Sequence, residues 1–359
     1  MPIINSIRKI LLIFAFSTGF FNIIFAQNEF KIMSYNVENL FDTKDDSLYN
    51  DREYLPGEMR GWNYTRYKQK LSNIAKVIAA VGEWNAPALV GLCEIENDNV
   101  LYDLTQHTGL QQLNYKFIHY DSPDARGVDV ALLYLPEKFK PINSRPINVK
   151  FPNSNGTTRD ILYACGTVAG GDTLHIFVNH FPSRLGGELE SEERRVAAAQ
   201  ILRSNVDSVF AVNQNAAVVI MGDFNDYPDD NSIVKTLNVS ALPENYEKIV
   251  AQNLYNLAYK IHFEGKIGTY LHNNSWGMLD QIIVSGALLN NSLKISVLPE
   301  TFTVFAPEWL LEEDKLVGLR PFRTYIGMKF NGGFSDHLPI VVKFFSTQIT
   351  QIKRINTDN

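Results

Sequence analysis

Six polar clusters of one restricted kind border apolar runs in this sequence: Asn36, Glu94, Asn179-His180, Asp223-Phe224-Asn225, Asp280 and Asp336-His337. Each alone has an ordinary structural explanation. A carboxylate at a strand end is usually solvated, and a lone histidine is more often a satisfied core residue. The stretch from Gly222 to Asn225 reads equally well as an Asx-rich turn. Together the clusters supply carboxylates, two imidazoles and neutral amides. Those are hard oxygen ligands for a cation such as Mg²⁺, with the groups needed for in-line attack on phosphorus. Cysteine is not among them, and the histidines lack HExxH or CxxC spacing, which disfavours zinc. There is no glycine-rich phosphate loop and no GxSxG elbow, which argues against nucleotide-driven and serine-hydrolase chemistry.

The elements that must position these groups are legible as short apolar runs. Val218–Met221 reads as a strand buried on both faces, with Gly222 turning the backbone so that Asp223 and Asn225 project from its end. Phe30–Tyr35, Ala88–Cys93, Tyr115–Ile118 and Val128–Leu133 are further strand patterns. Ile161–Val168 and Leu174–Val178 read as a hairpin, and Gln281–Val284 and Pro339–Phe344 as two more strands. Helical spacing marks Tyr64–Val81, Val100–Thr108 and Glu188–Phe210. Asp42–Gly61 reads as a polar surface loop. The aromatic segment Pro299–Gly333 gives no pattern to assign. Many short strands with few helices, and no regular βα repeat, argue for an α/β sandwich with mixed sheets.

With 359 residues, 45% of them hydrophobic, the chain can bury a large core. Arg8 and Lys9 precede an apolar stretch, Ile10–Phe25, which has the layout of a secretory signal over 1–26 cleaved near Ala26. A retained anchor is the alternative. We expect export to the periplasm or the extracellular space, one domain over 27–350 and a tail over 351–359. The formal net charge of −6 becomes more negative without Arg8 and Lys9, so no broad basic surface for gripping nucleic acid is expected. A nuclease is still allowed, because divalent cations neutralise a carboxylate-lined site. Cys93 and Cys165 both fall in apolar strand-like runs and read as buried free thiols, with a single bridge in an oxidising compartment as the alternative.

Seven stretches in order, MSYNVENLFD, GLCEIEN, RGVDVALLY, FVNHFPSR, GDFND, WGMLDQIIVS and FSDHLPIVV, resemble the endonuclease/exonuclease/phosphatase superfamily from about Phe30 to Phe345. Cys93 departs from the glutamine that the family often carries before its acidic ligand. The resemblance implies a four-layer α/β sandwich, two mixed β-sheets packed face to face with outer helices. It implies that Glu94 is the principal metal ligand, in preference to Glu96, with Asn36 and Asp336 completing or flanking the cation. His337, oriented by Asp280, and His180 would contact the scissile phosphate. Asp223 would position or deprotonate the attacking water, and Asn225 would donate to the developing charge. Asn179, Arg126 and Arg184 are candidate substrate contacts, with ordinary surface arginines as the alternative for the last two. Asp129 either orients His180 or pairs with Arg126. Asp226, Asp229 and Asp230 read as loop residues.

The expected activity is that of an exported Mg²⁺-dependent phosphodiesterase, with Mn²⁺ or Ca²⁺ as substituting or auxiliary ions. An endonuclease acting on DNA or RNA is favoured. A sphingomyelin or phospholipid phosphodiesterase, an inositol-phosphate phosphatase and an inactive binding module are the alternatives. Trp309, Phe322 and Tyr325 form either core or a lipid-facing or base-stacking surface. No protein partner is inferred.

Overall fold

The computed structural model describes residues 26–151 and 156–348, so the expected leader, apart from Ala26, and the expected tail lie outside the described residues. The strands in chain order begin with β1 (Ala26–Leu40), β2 (Leu89–Ile95), β3 (Lys116–His119) and β4 (Asp129–Tyr134). They continue with β5 (Phe139–Ile147), β6 (Ile161–Val168), β7 (Thr173–His180) and β8 (Ala217–Asp223). After these come β9 (Val239–Ala241), β10 (Leu254–Asn256), β11 (Tyr270–His272), β12 (Ser275–Gly277) and β13 (Asp280–Ser285). The last are β14 (Ile295–Val304), β15 (Leu311–Asp314), β16 (Gly318–Pro321), β17 (Tyr325–Ile326), β18 (Lys329–Phe330) and β19 (Ile340–Gln348). The α-helices are α1 (Tyr64–Gly82), α2 (Asp98–Gln106), α3 (Glu188–Val212) and α4 (Tyr259–Glu264).

Two mixed sheets form the body. One runs β14-β19-β1-β2-β4-β3 and the other β5-β6-β7-β8-β13-β10-β9. Their inner faces share one core that also takes in Leu71, Ile74 and Ile78 of α1. A second core lies between the seven-stranded sheet and α3, where Leu202 and Val206 meet Phe177, Val218 and Ile220. Helix, sheet, sheet and helix therefore stack as four layers. Each buried aliphatic side chain in these faces contributes about 1.5–3 kcal/mol. Gly91 on β2 has no side chain because Met221 of the opposite sheet fills that space.

The central strands run further than their apolar cores suggest. β8 does not end at Gly222 but continues through Asp223. Gly222 adopts φ +138° within the strand, and a Cβ there would collide with the carbonyl of Asn179. Close approach of β7, and not a turn, is what requires glycine. β7 likewise includes His180, and β2 includes Glu94, at which the pairing register shifts. Across 299–333, part of β14 is followed by two small hairpins, β15-β16 and β17-β18. Strand β5, with prolines at 141 and 146, gave no sequence pattern and sits at a sheet edge, where a missing N–H is tolerated. Both cysteines are free; Cys93 is buried, while Cys165 is only half-buried.

Candidate active site

Strand register gathers the site. In the parallel pair β7-β8, His180 lies opposite Asp223, and in the antiparallel pair β8-β13, Asp280 lies opposite Asp223. Directly opposed residues point to one face of a sheet, so these three side chains project together. From the facing sheet, Asn36 near the end of β1 donates its amide to Asp223 Oδ2 at 3.1 Å. His337 precedes β19 and brings its Nδ1 within 2.7 Å of Asp280 Oδ2, with its Nε2 3.8 Å from Asp223 Oδ2. His180 Nε2 stands 3.6 Å from that same oxygen and 3.9 Å from Glu94 Oε1. Asp223 Oδ1 accepts from the Asn225 backbone amide at 2.9 Å. Four of the residues singled out in the sequence, Asn36, His180, Asn225 and His337, thus meet on the carboxylate of Asp223, with Asp280 opposite it in the sheet and Glu94 3.9 Å from His180.

The two imidazoles differ in charge. Burial alone would lower His337, but Asp280 and Asp223 outweigh it and hold the ring at about 10, so it carries two protons. His180 is held well below its ordinary value, by burial first and then by Arg159 and Arg126, so it is neutral. Its Nδ1 has no hydrogen-bond partner among the described residues. Asp223 is raised to about 6, chiefly by burial.

An acidic rim surrounds this row. Glu94 takes a left-handed backbone (φ +66°), which turns its carboxylate out of β2. Its Oε2 accepts from the Asn39 amide at 2.8 Å, and its Oε1 faces Arg126 at 3.9 Å. Asp336 pairs with Arg323 at 2.8 Å. Glu38, which the sequence reading passed over, is buried beside Asp336 and accepts from the Thr324 amide at 2.7 Å. Burial, then the charge of Asp336, raise it to about 7. Its spacing of two from Asn36 was the available signal, since alternate strand residues share a face. Arg323 and Arg159 had none, the first lying in the irregular aromatic segment. Carboxylates crowded enough to repel one another, with a carboxamide beside them, fit a hard divalent cation. A tighter trio, His119, Asp121 and Asp129, lies to one side with its ligand atoms within 4.8 Å of one another. Both nitrogens of that imidazole already face Asp98 and Asp129.

Several expected contacts are placed elsewhere. Asn179 is fully buried, and its amide turns back to the carbonyls of Phe177 and Met221, so it does not reach the opening. The Arg184 guanidinium is held by Asp230 at 2.6 Å, Glu188 at 2.9 Å and Asp226 at 3.3 Å. Three carboxylates neutralise it, leaving no net charge for a phosphate. Asp226 is no simple loop residue, since it is buried and bonded to Arg195 and Ser232. Asp129 pairs with neither His180 nor Arg126, but accepts from Ser122 and faces His119. The Asn225 side chain donates to the Phe181 carbonyl at 2.9 Å, which leaves one amide proton for a ligand. Arg126, half exposed between Glu94 and Asp124, keeps its place at the mouth. Glu96 is directed away from Glu94, with its Oε2 2.5 Å from the Asp42 amide.

No curated protein matches the chain. Among solved structures, a truncated TDP2 from Caenorhabditis elegans is similar over 89% of this chain and 98% of its own, at 20% identity and TM-score 0.51. TDP2 from D. rerio, complexed with a single-strand DNA product, matches over 88% and 98%, at 16% and 0.52. A mannosyl-6-phosphatase from Bacteroides thetaiotaomicron matches over 88% and 99%, at 16% and 0.53. At such identities the likeness is one of fold. The model of the Endonuclease/Exonuclease/phosphatase family matches residues 31–345. With nearly all of its described length inside that match, the chain belongs to this family of metal-dependent phosphoric ester hydrolases.

Proposed function

We propose that the protein is an exported, Mg²⁺-dependent phosphodiesterase that cleaves nucleic acid by direct attack of water, without a covalent intermediate. The observation that carries this reading is the pairing of a charged His337–Asp280 unit with a separate carboxylate, Asp223, around one opening. Residues 27–350 form its single domain. Export rests on Arg8 and Lys9 followed by the apolar stretch to Phe25. The similarity to D. rerio TDP2, which was crystallised with a single-strand DNA product, supports nucleic acid as the substrate class.

In this mechanism Asp223 orients the attacking water and takes its proton. Asn36 and the Asn225 amide fix the carboxylate for that task. His337 donates from Nε2 to a phosphoryl oxygen, and Asp280 keeps the ring charged and correctly turned. His180 donates from Nε2 as a neutral ring, and Asn225 offers its remaining amide proton. Glu94, Asn36 and Asp336 would hold Mg²⁺, which when bound would supply Lewis-acid stabilisation of the charge on the phosphoryl oxygens. Arg126 adds a contact to a flanking phosphate.

A second reading is a phosphatase for a small hydroxylated phosphomonoester. A cavity of about 110 Å³ adjoins Asp336 and is lined by Tyr270, Asn273, Asn274 and Arg323. The Tyr270 ring lies 4.8 Å from that of His337. The phosphatase neighbour supports this alternative. The test is hydrolysis of plasmid DNA, RNA, hexose 6-phosphates and sphingomyelin with Mg²⁺, with and without chelator. Chelator-sensitive nicking of DNA, lost in His337→Ala, is the expected result. Intact nucleic acid with phosphate released from a hexose phosphate overturns the nuclease reading in favour of the second.

A further inference from the structure

Arg159, in the coil before β6, has no part in the proposed chemistry, yet it is buried and linked to the site. Its Nη1 donates to Asp124 Oδ2 at 3.0 Å, and its Nη2 donates to the Phe181 carbonyl at 2.7 Å. Phe181 lies one residue beyond the paired length of β7. Its N–H donates to the Asp223 carbonyl at 2.9 Å, and its own carbonyl accepts the Asn225 side-chain amide at 2.9 Å. One residue thus joins the backbone of Asp223 to the side chain of Asn225, and Arg159 shares the carbonyl on which Asn225 hangs. A carbonyl oxygen accepts two such bonds, and the one from a charged donor is the stronger. Asn225 stands in the left-handed region at φ +50°, just past β8, so no ladder fixes its side chain. The Phe181 and Phe224 rings pack edge to face at 5.0 Å and hold the two strand ends together.

Asp124, equally buried, anchors the far end of the guanidinium. Its Oδ2 takes Arg159, while its Oδ1 accepts the Arg126 amide at 3.0 Å. Arg159 Nε is buried without a hydrogen-bond partner. A buried ion pair that leaves a donor unmet is poorly explained by stability alone.

We propose that Arg159 is a positioning residue, which through the Phe181 carbonyl keeps the Asn225 amide aimed at the phosphoryl oxygen. The proposal rests on the role given to Asn225 above, and it adds a residue that touches neither substrate nor cation. Arg159 sets the direction of the carbonyl, and Asn225 commits one amide proton to that oxygen. The planarity of the amide then fixes where its other proton points. Lysine does not reproduce this, because its ammonium is a point donor and not a planar fork spanning Asp124 and Phe181.

The test is a double-mutant cycle of Arg159→Met and Asn225→Ala, read as kcat and KM for bis-p-nitrophenyl phosphate with Mg²⁺. Arg159→Met is expected to lower kcat about tenfold, with KM within about twofold. In the Asn225→Ala background it should cost no more than about twofold, because the group it positions is gone. Additive losses overturn the proposal, as does an unchanged kcat in Arg159→Met. Arg159→Lys keeps a cation beside Asp124, is expected to lose kcat in the same direction, and serves if the methionine variant does not fold. NMR of the metal-free protein gives a readout independent of catalysis. The two Asn225 side-chain amide protons should be well separated in the parent and closer together in either Arg159 variant. An unmoved Asn225 signal removes Arg159 from this role even where nucleic acid is cleaved. A moved signal in a protein that hydrolyses no phosphodiester keeps the positioning and rejects the function proposed above.

Discussion

His180 and His337 face the same oxygen of Asp223 at 3.6 and 3.8 Å, yet one ring is neutral and the other charged. The difference lies behind the rings. His337 has Asp280 at its Nδ1, whereas His180 has an unpartnered Nδ1 and the positive fields of Arg159 and Arg126. One residue type thus supplies a cationic donor and a neutral donor a few ångströms apart, and the groups behind them assign the roles.

The largest effect expected from this asymmetry is on turnover. His337→Ala lowers kcat by about 10³–10⁴-fold, while His180→Ala lowers it by only about 10²-fold. Equal losses in steady-state assays would erase the distinction. Asp280→Asn is intermediate, with about 10²–10³-fold loss, because the ring stays in place but loses the charge that keeps it protonated. Nitrogen NMR of the metal-free protein near neutral pH sharpens the point. His337 should show two protonated nitrogens, in keeping with a pKa of about 10, and Asp280→Asn should move its titration down towards the ordinary histidine range. His180 should show one protonated nitrogen in both proteins. A His337 titration unmoved by the substitution would remove Asp280 from its role. The smallest effect concerns Arg184. Its replacement by methionine should cost about 1–2 kcal/mol of stability by denaturant titration and leave KM within about twofold. A tenfold rise in KM would restore it as a phosphate contact.

The row of chemistry-bearing residues was legible because each sits where an apolar run stops, and those runs are strands whose burial dictates their composition. Which residues face inward was less legible. Asn179 and His180 are neighbours in sequence, but strand alternation sends them to opposite faces, so only one reaches the opening. Arg184 and Asp129 read as free to serve the site, and long-range ion pairs that no local pattern records claim both. The hairpins across 311–330 are too short for a periodic signal, so Arg323 was invisible although it touches Asp336. Glu38 had a faint signal in its spacing of two from Asn36, but it and Asn39 are in the left-handed region, where strand alternation is a weak guide.

Glu94 has the same backbone peculiarity at φ +66°, within a strand, and a side chain with a Cβ is strained there by about 1 kcal/mol. Glycine would remove the strain and the carboxylate in one change. If Glu94 holds the catalytic cation, folding and catalysis therefore favour different residues at this position. A lineage released from selection for hydrolysis would drift towards glycine here and become harder to melt. Position 94 then serves as a record of purpose: an acid marks a scaffold still kept for its chemistry, and a glycine marks one kept only for its shape.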